Sequence, residues 1–197
     1  MYLYRFNALV LSFLLLFAGH LFASPLNTLD GAANKVLNGL QRNKANLKNN
    51  SSYTYALVKK YIIPHVDTYG MARSVLGRNA WRNSSRSNKK AFTKNFINLV
   101  VRTYSAALKN YSGEKIKFFA IRGGYKGKKF IKIKSMIIKS SGRNIPIIYS
   151  MVNKKGSWKV YDMSVEGVSL LQSYKSQFAQ YLAGHSMAQL ITKLAKR

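Results

Sequence analysis

The spacing of apolar residues is helical over the first half of the chain. Up to Ser112, apolar side chains recur every three or four residues, as Leu29, Val36 and Leu40 do, and this period predicts amphipathic helices. Pro64 and Gly77 interrupt the pattern, and Asp67 is well placed to cap a short helix between them. The predicted helices of this half cover residues 26–40, 53–63, 68–76 and 87–111, with a connector over 78–87.

After Gly113 the period changes to the alternation that is typical of strands. Within residues 131–137, isoleucines alternate with Lys132 and Lys134, so one face of this strand is expected to be buried and the other wet. The predicted strands cover residues 115–122, 129–139, 144–153 and 157–164. Because the links between them are short and contain glycine, they favour antiparallel hairpins in a four-stranded meander.

Two more helices are predicted at the end of the chain. One covers residues 171–182 and stops at Gly184, and the other begins at the capping-box sequence Ser186 to Gln189. The predicted fold is therefore α+β, with a four-stranded antiparallel meander sheet curled against several helices. Since a coiled sheet cannot lie flat against helices everywhere, we also expect an apolar pocket between them.

The first residues have the pattern of a cleaved secretory signal peptide. Arg5 provides the positive charge, Ala8 to Phe22 form a short apolar stretch, and the small residue Ala23 marks the expected cleavage point. A transmembrane anchor is the alternative, but it needs a longer apolar run of about 20 residues. We therefore predict a signal peptide over 1–23, a single domain over 24–197, and a periplasmic location.

Charge and cysteine content narrow the classes of partner and site. The chain has 33 basic residues against 5 acidic ones and carries a net charge of +28, so it should meet anionic surfaces. Export disfavours nucleic acid as that partner. A simpler alternative to any binding role is that the basic residues form a solvated coat that keeps the protein soluble. The chain has no cysteine, which excludes disulfides and thiolate zinc sites.

Residue types that could support catalysis are sparse. After the predicted signal peptide the only histidines are His65 and His185, which lack metal-ligand spacing, and no Gly-x-Ser-x-Gly motif is present. Asp162 and Glu166 are the only neighbouring carboxylates, and we expect them to meet basic side chains or a helix terminus. The sequence therefore predicts no enzyme activity, no metal site and no cofactor.

The most specific run in the sequence is Trp158 to Leu170, WKVYDMSVEGVSL, and the region from Pro64 to Trp81 supports it independently. Together they resemble the MlaC family, the periplasmic component of the system that maintains outer-membrane lipid asymmetry, whose members are also described as toluene-tolerance auxiliary proteins. The resemblance covers nearly all of the predicted mature chain. Its remaining elements are Ile63-Pro64-His65-Val66-Asp67, Met71-Ala72, Leu76-Gly77, Thr103-Tyr104, Leu108, Tyr111 and Tyr174 to Phe178.

The resemblance implies a soluble shuttle that accepts a phospholipid from one membrane complex and passes it to another across the periplasm. The implied partners are an inner-membrane ABC-type lipid transport complex, an outer-membrane lipoprotein–porin complex and, transiently, the membrane surface. Phospholipid is cargo in this scheme. Two alternatives stay open: a basic module that binds polyanions or an envelope protein, and a carrier of another apolar lipid such as a hopanoid.

A carrier would solve a problem of water exposure. Each buried methylene is worth about 0.8 kcal/mol, so two acyl chains expose on the order of 20 kcal/mol of unfavourable surface in water. From facing periods and the family resemblance we predict a set of residues that form the wall of a lipid-binding pocket. They are Ile63, Val66, Met71, Leu76, Phe96, Val100, Tyr104, Ile133, Ile147, Tyr149 and Met151.

Overall fold

The computed structural model describes residues 24–140 and 142–196, so the predicted signal peptide over 1–23 lies outside the described residues. Within these described ranges, five helices precede a sheet and two follow it, which confirms the α+β class. Short 3₁₀ turns cover Lys44–Asn46, Ile63–His65 and Leu108–Asn110. The helices are α1 (Pro25–Arg42), α2 (Ser51–Tyr61), α3 (Thr68–Leu76), α4 (Arg78–Asn83), α5 (Arg86–Ala107), α6 (Leu170–Leu182) and α7 (Met187–Ala195).

The sheet has five strands in sequence order, and every neighbouring pair is antiparallel. The prediction of four strands was wrong, because Glu166 and Gly167 make a two-residue turn with φ of 51° and 87° that returns the chain for one further short pairing. The strands are β1 (Lys115–Phe118), β2 (Phe130–Ile138), β3 (Ile145–Lys154), β4 (Ser157–Val165) and β5 (Val168–Ser169).

The predicted alternation along β2 is confirmed. Ile131, Ile133 and Ser135 are buried, whereas Lys132 and Lys134 are exposed. The first strand is shorter than predicted and ends four residues early, at Phe118. One face of the sheet therefore carries core residues and the other carries lysines.

The predicted connector over 78–87 contains the short helix α4, so this prediction was incomplete. Gly77 ends α3 and, with a φ of 80° that other residues rarely adopt, also starts α4. The turn lets α4 fold back so that Trp81 is buried. Asp67 caps α3 by accepting from the backbone N–H of Gly70 at 3.0 Å, as the sequence predicted.

The core has three parts. The first is built by α3, α5, α6 and α7 around stacked aromatic rings, the second lies under the buried face of the sheet, and the third joins α1 to α2. The predicted capping box at Ser186 and Gln189 is present and starts α7. Over the described residues, none of the helices has the length and apolar character needed to cross a membrane.

Candidate functional site

An apolar cavity of about 270 Å³ lies between the buried face of the sheet and the helices α1, α2, α3 and α5. Most of its lining atoms belong to aliphatic side chains, and His65, Tyr104 and Tyr149 bring the polar side-chain groups. The lining residues are Leu29, Ala32, Ala33, Val36, Leu37, Val58, Ile62, Ile63, His65, Val66, Met71, Ile97, Val100, Val101, Tyr104, Leu108, Ile116, Phe118, Tyr149, Val160, Met163 and Leu170.

Helix α1 forms one wall because its apolar residues share a single face. Leu29, Ala32, Val36 and Leu40 are buried at helical spacing, and the first three also line the cavity. Leu29 packs in the sheet part of the core, whereas Leu40 packs in the part shared with α2. The helix therefore spans the cavity from the sheet to α2.

The segment between α2 and α3 is bound to β4 and forms another part of the wall. The backbone N–H of Asp67 donates to the carbonyl of Val160 at 2.8 Å, and Val66 forms a parallel bridge with the same residue. Lys159 Nζ also donates to the carbonyl of Pro64 at 2.6 Å. These bonds hold Val66 against the sheet, where it lines the cavity.

The three polar side chains of the wall are uncharged at neutral pH. Burial raises the pKa of Tyr149 above its ordinary value of 10.0, although Ser135 donates to its hydroxyl at 3.4 Å and partly opposes this. Burial also raises the pKa of Tyr104. Burial, followed by the charges of Lys159 and Lys35, lowers the pKa of His65 below 6.5. The cavity therefore suits an uncharged apolar group.

The neighbouring carboxylates have structural roles. Glu166 forms an ion pair with Arg143 at 2.6 Å, as the sequence predicted for it. Asp162 instead accepts from Ser169 Oγ at 2.8 Å and from the backbone N–H of Leu171 at 3.0 Å, so it caps the start of α6. Across residues 24–140 and 142–196, histidines and carboxylates do not gather in a group of three or more that could hold a metal ion.

Six of the predicted wall residues line the cavity, and the other five do not. Those in the cavity wall are Ile63, Val66, Met71, Val100, Tyr104 and Tyr149. Among the others, Leu76 and Phe96 pack in the helical part of the core, Ile133 and Met151 pack under the sheet, and Ile147 is buried on the third strand. A helical or strand period marks the buried face, but it does not say which buried side chains border a void.

Sequence reasoning missed the contribution of α1 to the wall. The regular stripe of Leu29, Ala33 and Val36 was visible in the sequence and could have suggested it. Ile116 and Phe118 on β1 were also missed, since a strand of only four residues gives a weak alternation signal. That the predicted wall residues contact a lipid stays a prediction.

Comparison with known proteins places the chain in a family. The family model described as MlaC protein matches residues 30–196. The chain is 30% identical to the intermembrane phospholipid transport system binding protein MlaC of Haemophilus influenzae over 87% of this chain and 80% of that protein. It is 24% identical to the toluene tolerance protein ttg2D of Pseudomonas putida over 79% of this chain and 72% of that protein.

A solved structure supports the same assignment at the level of the fold. The phospholipid-binding protein of Ralstonia solanacearum, solved in complex with a phospholipid, superposes with a TM-score of 0.80 at 23% identity, covering 88% of this chain and 96% of that one. The family model matches most of the chain and its motifs were recognised independently in the sequence. The chain therefore belongs to the MlaC family.

Proposed function

We propose that this chain is a periplasmic phospholipid carrier that encloses acyl chains in the apolar cavity and carries lipid between the inner and outer membranes. The observation that carries the proposal is a cavity of about 270 Å³ with an uncharged, nearly wholly apolar wall in a member of the MlaC family. Such a wall offers acyl methylenes a place out of water. Holding and releasing a lipid in this way requires no bond to be made or broken.

The size of the cavity implies that its walls move when a lipid enters. Pockets for drug-sized ligands usually measure about 300–1,000 Å³, and the described cavity of about 270 Å³ lies just below that range. A diacyl phospholipid is larger than such ligands. Helix α1 packs in the sheet part of the core and in the part shared with α2. None of its residues belongs to the aromatic cluster of α5 and α6, so α1 can shift without disturbing that cluster.

The partners follow from the relatives and from the charge. The Haemophilus relative is named as part of an intermembrane phospholipid transport system, and we infer that this chain exchanges lipid with an inner-membrane ABC-type complex and an outer-membrane lipoprotein–porin complex. A net charge of +28 would favour transient contact with anionic headgroups, and salt would screen that attraction. Exchange at both membranes would help to maintain the lipid asymmetry of the outer membrane.

The export signal and the single mature domain belong to the same proposal. Residues 1–23 would direct the chain to the periplasm and be removed, which leaves residues 24–197 as the carrier. Ser24 suits this division, since its side chain caps α1 by accepting from the backbone N–H of Asn27 at 3.1 Å. Mass spectrometry of the exported protein would test the cleavage point directly.

The decisive experiment is to measure lipid in the protein itself. The mature chain is purified without detergent and extracted with solvent, and lipid phosphorus is quantified per protein molecule, with mass spectrometry of the extract. Near-stoichiometric phospholipid is the expected result. If the extract contains an isoprenoid in place of phospholipid, the protein is still a lipid carrier but its cargo is the isoprenoid. A folded protein that is free of lipid and takes none up from vesicles would overturn the proposal in favour of a polyanion-binding module.

A further inference from the structure

A second hollow, which we call the arginine hollow, lies where α3 meets α4. Its volume is about 580 Å³, and it shares no lining residue with the apolar cavity. Unlike the cavity, it is lined by charged and polar groups as well as by an indole ring. The lining residues are Arg73, Ser74, Gly77, Arg78, Trp81, Arg82 and Lys175.

The backbone brings these cations to one place. Arg78 and Arg82 are four residues apart on α4, so both point to the same side of that helix. The turn at Gly77 brings this side next to the last turn of α3, which carries Arg73. Lys175 comes from α6, which packs against α3. Four cationic side chains from three helices therefore surround one concavity.

The indole ring that lines the hollow belongs to the hydrophobic core. Trp81 is buried, with 7% of its surface exposed, and Tyr69 packs its ring edge-on at a centroid distance of 5.0 Å. Lys89 Nζ lies 5.8 Å from the centre of the indole ring and adds a further positive charge beside it. An indole held in this way reports on ligands that enter the hollow.

Among the described residues, no carboxylate side chain lines the hollow to balance its charge. In the part of the chain that the structure describes, the two ion pairs use Arg143 with Glu166 and Lys154 with Asp67, and both lie elsewhere. Four like charges around one concavity repel one another, and a bound anion would relieve that repulsion. The hollow therefore has the charge of an anion-binding site.

The choice of arginine indicates which anion. The chain has twenty-three lysines and only ten arginines, yet three of the four cations lining the hollow are arginines. The planar guanidinium group binds phosphate through two parallel hydrogen bonds, which an ammonium group cannot do. Arg73 and Arg82 also lie in the last turns of their helices, where any cation is favourable, but this does not account for Arg78 or Lys175.

We propose that the arginine hollow binds a phosphate group, and that it is a second ligand site separate from the acyl-chain cavity. The phosphate belongs either to a lipid headgroup at a membrane surface or to a soluble phosphate compound, since the recognising chemistry is the same. The two sites share no lining residue.

Trp81 allows the site to be tested directly. The chain has two tryptophans, so a Trp158→Phe background leaves Trp81 as the single indole fluorophore. Pyrophosphate at low ionic strength should change its fluorescence saturably. In that background, Arg78→Lys with Arg82→Lys keeps the charge but loses the two-bond geometry, and should weaken affinity about tenfold. The matched control, Lys132→Gln with Lys134→Gln on the exposed sheet face, should bind as the parent does.

Vesicles separate the two sources of phosphate. Phosphatidylcholine vesicles with and without phosphatidylglycerol are added to the same background protein. A Trp81 change that needs phosphatidylglycerol and is reversed by pyrophosphate assigns the site to headgroups, whereas a response to pyrophosphate alone assigns it to soluble phosphates. Absence of any fluorescence response to either ligand would overturn the proposal. Equal losses of affinity in the Arg78→Lys, Arg82→Lys variant and in the Lys132→Gln, Lys134→Gln control, with circular dichroism unchanged, would also overturn it.

Discussion

Lys154 Nζ lies 2.6 Å from Oδ1 of Asp67, and this ion pair joins the end of β3 to the start of α3. The same carboxylate oxygen accepts from the backbone N–H of Gly70 at 3.0 Å. The backbone N–H of Asp67 donates to Val160 on β4 at 2.8 Å. One residue thus caps a helix and attaches it to two strands, next to the Val66 and Met71 side of the cavity wall.

Substitutions at Asp67 should distinguish the contribution of the helix cap to stability from that of the ion pair. Asp67→Ala removes both and should lower the free energy of unfolding by about 1–2 kcal/mol. Asp67→Asn keeps the cap and, like Lys154→Gln, should cost less than about 1 kcal/mol, because Lys154 is half exposed to solvent. Urea unfolding of the three variants measures this, with Arg143→Gln as the control for an exposed pair. An Asn variant as unstable as the Ala variant would mean that the cap contributes little.

The sign of the stability change caused by Gly70→Ala should depend on the residue at position 67. Alanine in a helix is usually about 0.5–1 kcal/mol better than glycine. Here a Cβ at Gly70 would collide with the carboxylate of Asp67 and displace the cap. We expect Gly70→Ala to destabilise the parent by about 1 kcal/mol but to stabilise the Asp67→Ala variant. A double-mutant cycle in urea gives both values, and additive effects would contradict the collision.

Features set by neighbouring residues could be predicted from the sequence, because a helix cap is a short-range hydrogen bond and the alternation of a strand follows from its two-residue repeat. The caps at Asp67 and Ser186 and the alternation along β2 are of this kind. The pairing of Val168 with Val165 could not be predicted, since two residues are too few to show a period. The division of buried residues between cavity and core depends on how elements pack in three dimensions. No local pattern encodes it.

Phe96 shows this limit and offers a prediction. Its ring packs edge-on against Tyr174 and Phe178, with centroids 5.3 and 5.9 Å away, and it is fully buried. Phe96→Ala should therefore lower the free energy of unfolding by about 3–5 kcal/mol. Lipid content per folded molecule should stay unchanged, because Phe96 does not line the cavity. Solvent extraction of the folded fraction tests this. A loss of lipid from the folded variant would mean that Phe96 does form part of the cavity wall.

Val100 is the matched case on the same helix, since its side chain does line the cavity. Val100→Trp should fill the space that acyl chains would occupy, so the purified variant should lose most of its bound phospholipid at a cost in stability of about 1–3 kcal/mol. Lys94→Trp places the same side chain at an exposed position of α5 and should retain its lipid. Equal phosphorus content in the two folded variants would contradict the placement of cargo in this cavity.

The stability of the protein should also depend on pH through His65. Because burial and then the charges of Lys159 and Lys35 lower its pKa in the folded protein below 6.5, the unfolded chain binds the proton more readily. The free energy of unfolding should therefore rise with pH between the folded pKa and 6.5. The contribution is complete above 6.5 and is lost as the pH falls through the folded pKa. Urea unfolding across this range measures the slope.

A neutral residue at position 65 identifies the source of that slope. His65→Gln should flatten the dependence of unfolding free energy on pH. A protonated His65 also puts a charge on the apolar wall, where it is costly to cover with acyl methylenes. Phospholipid should therefore leave the parent protein more readily in acid than it leaves His65→Gln. Identical release from both would show that the His65 ring stays in water when the cavity is filled.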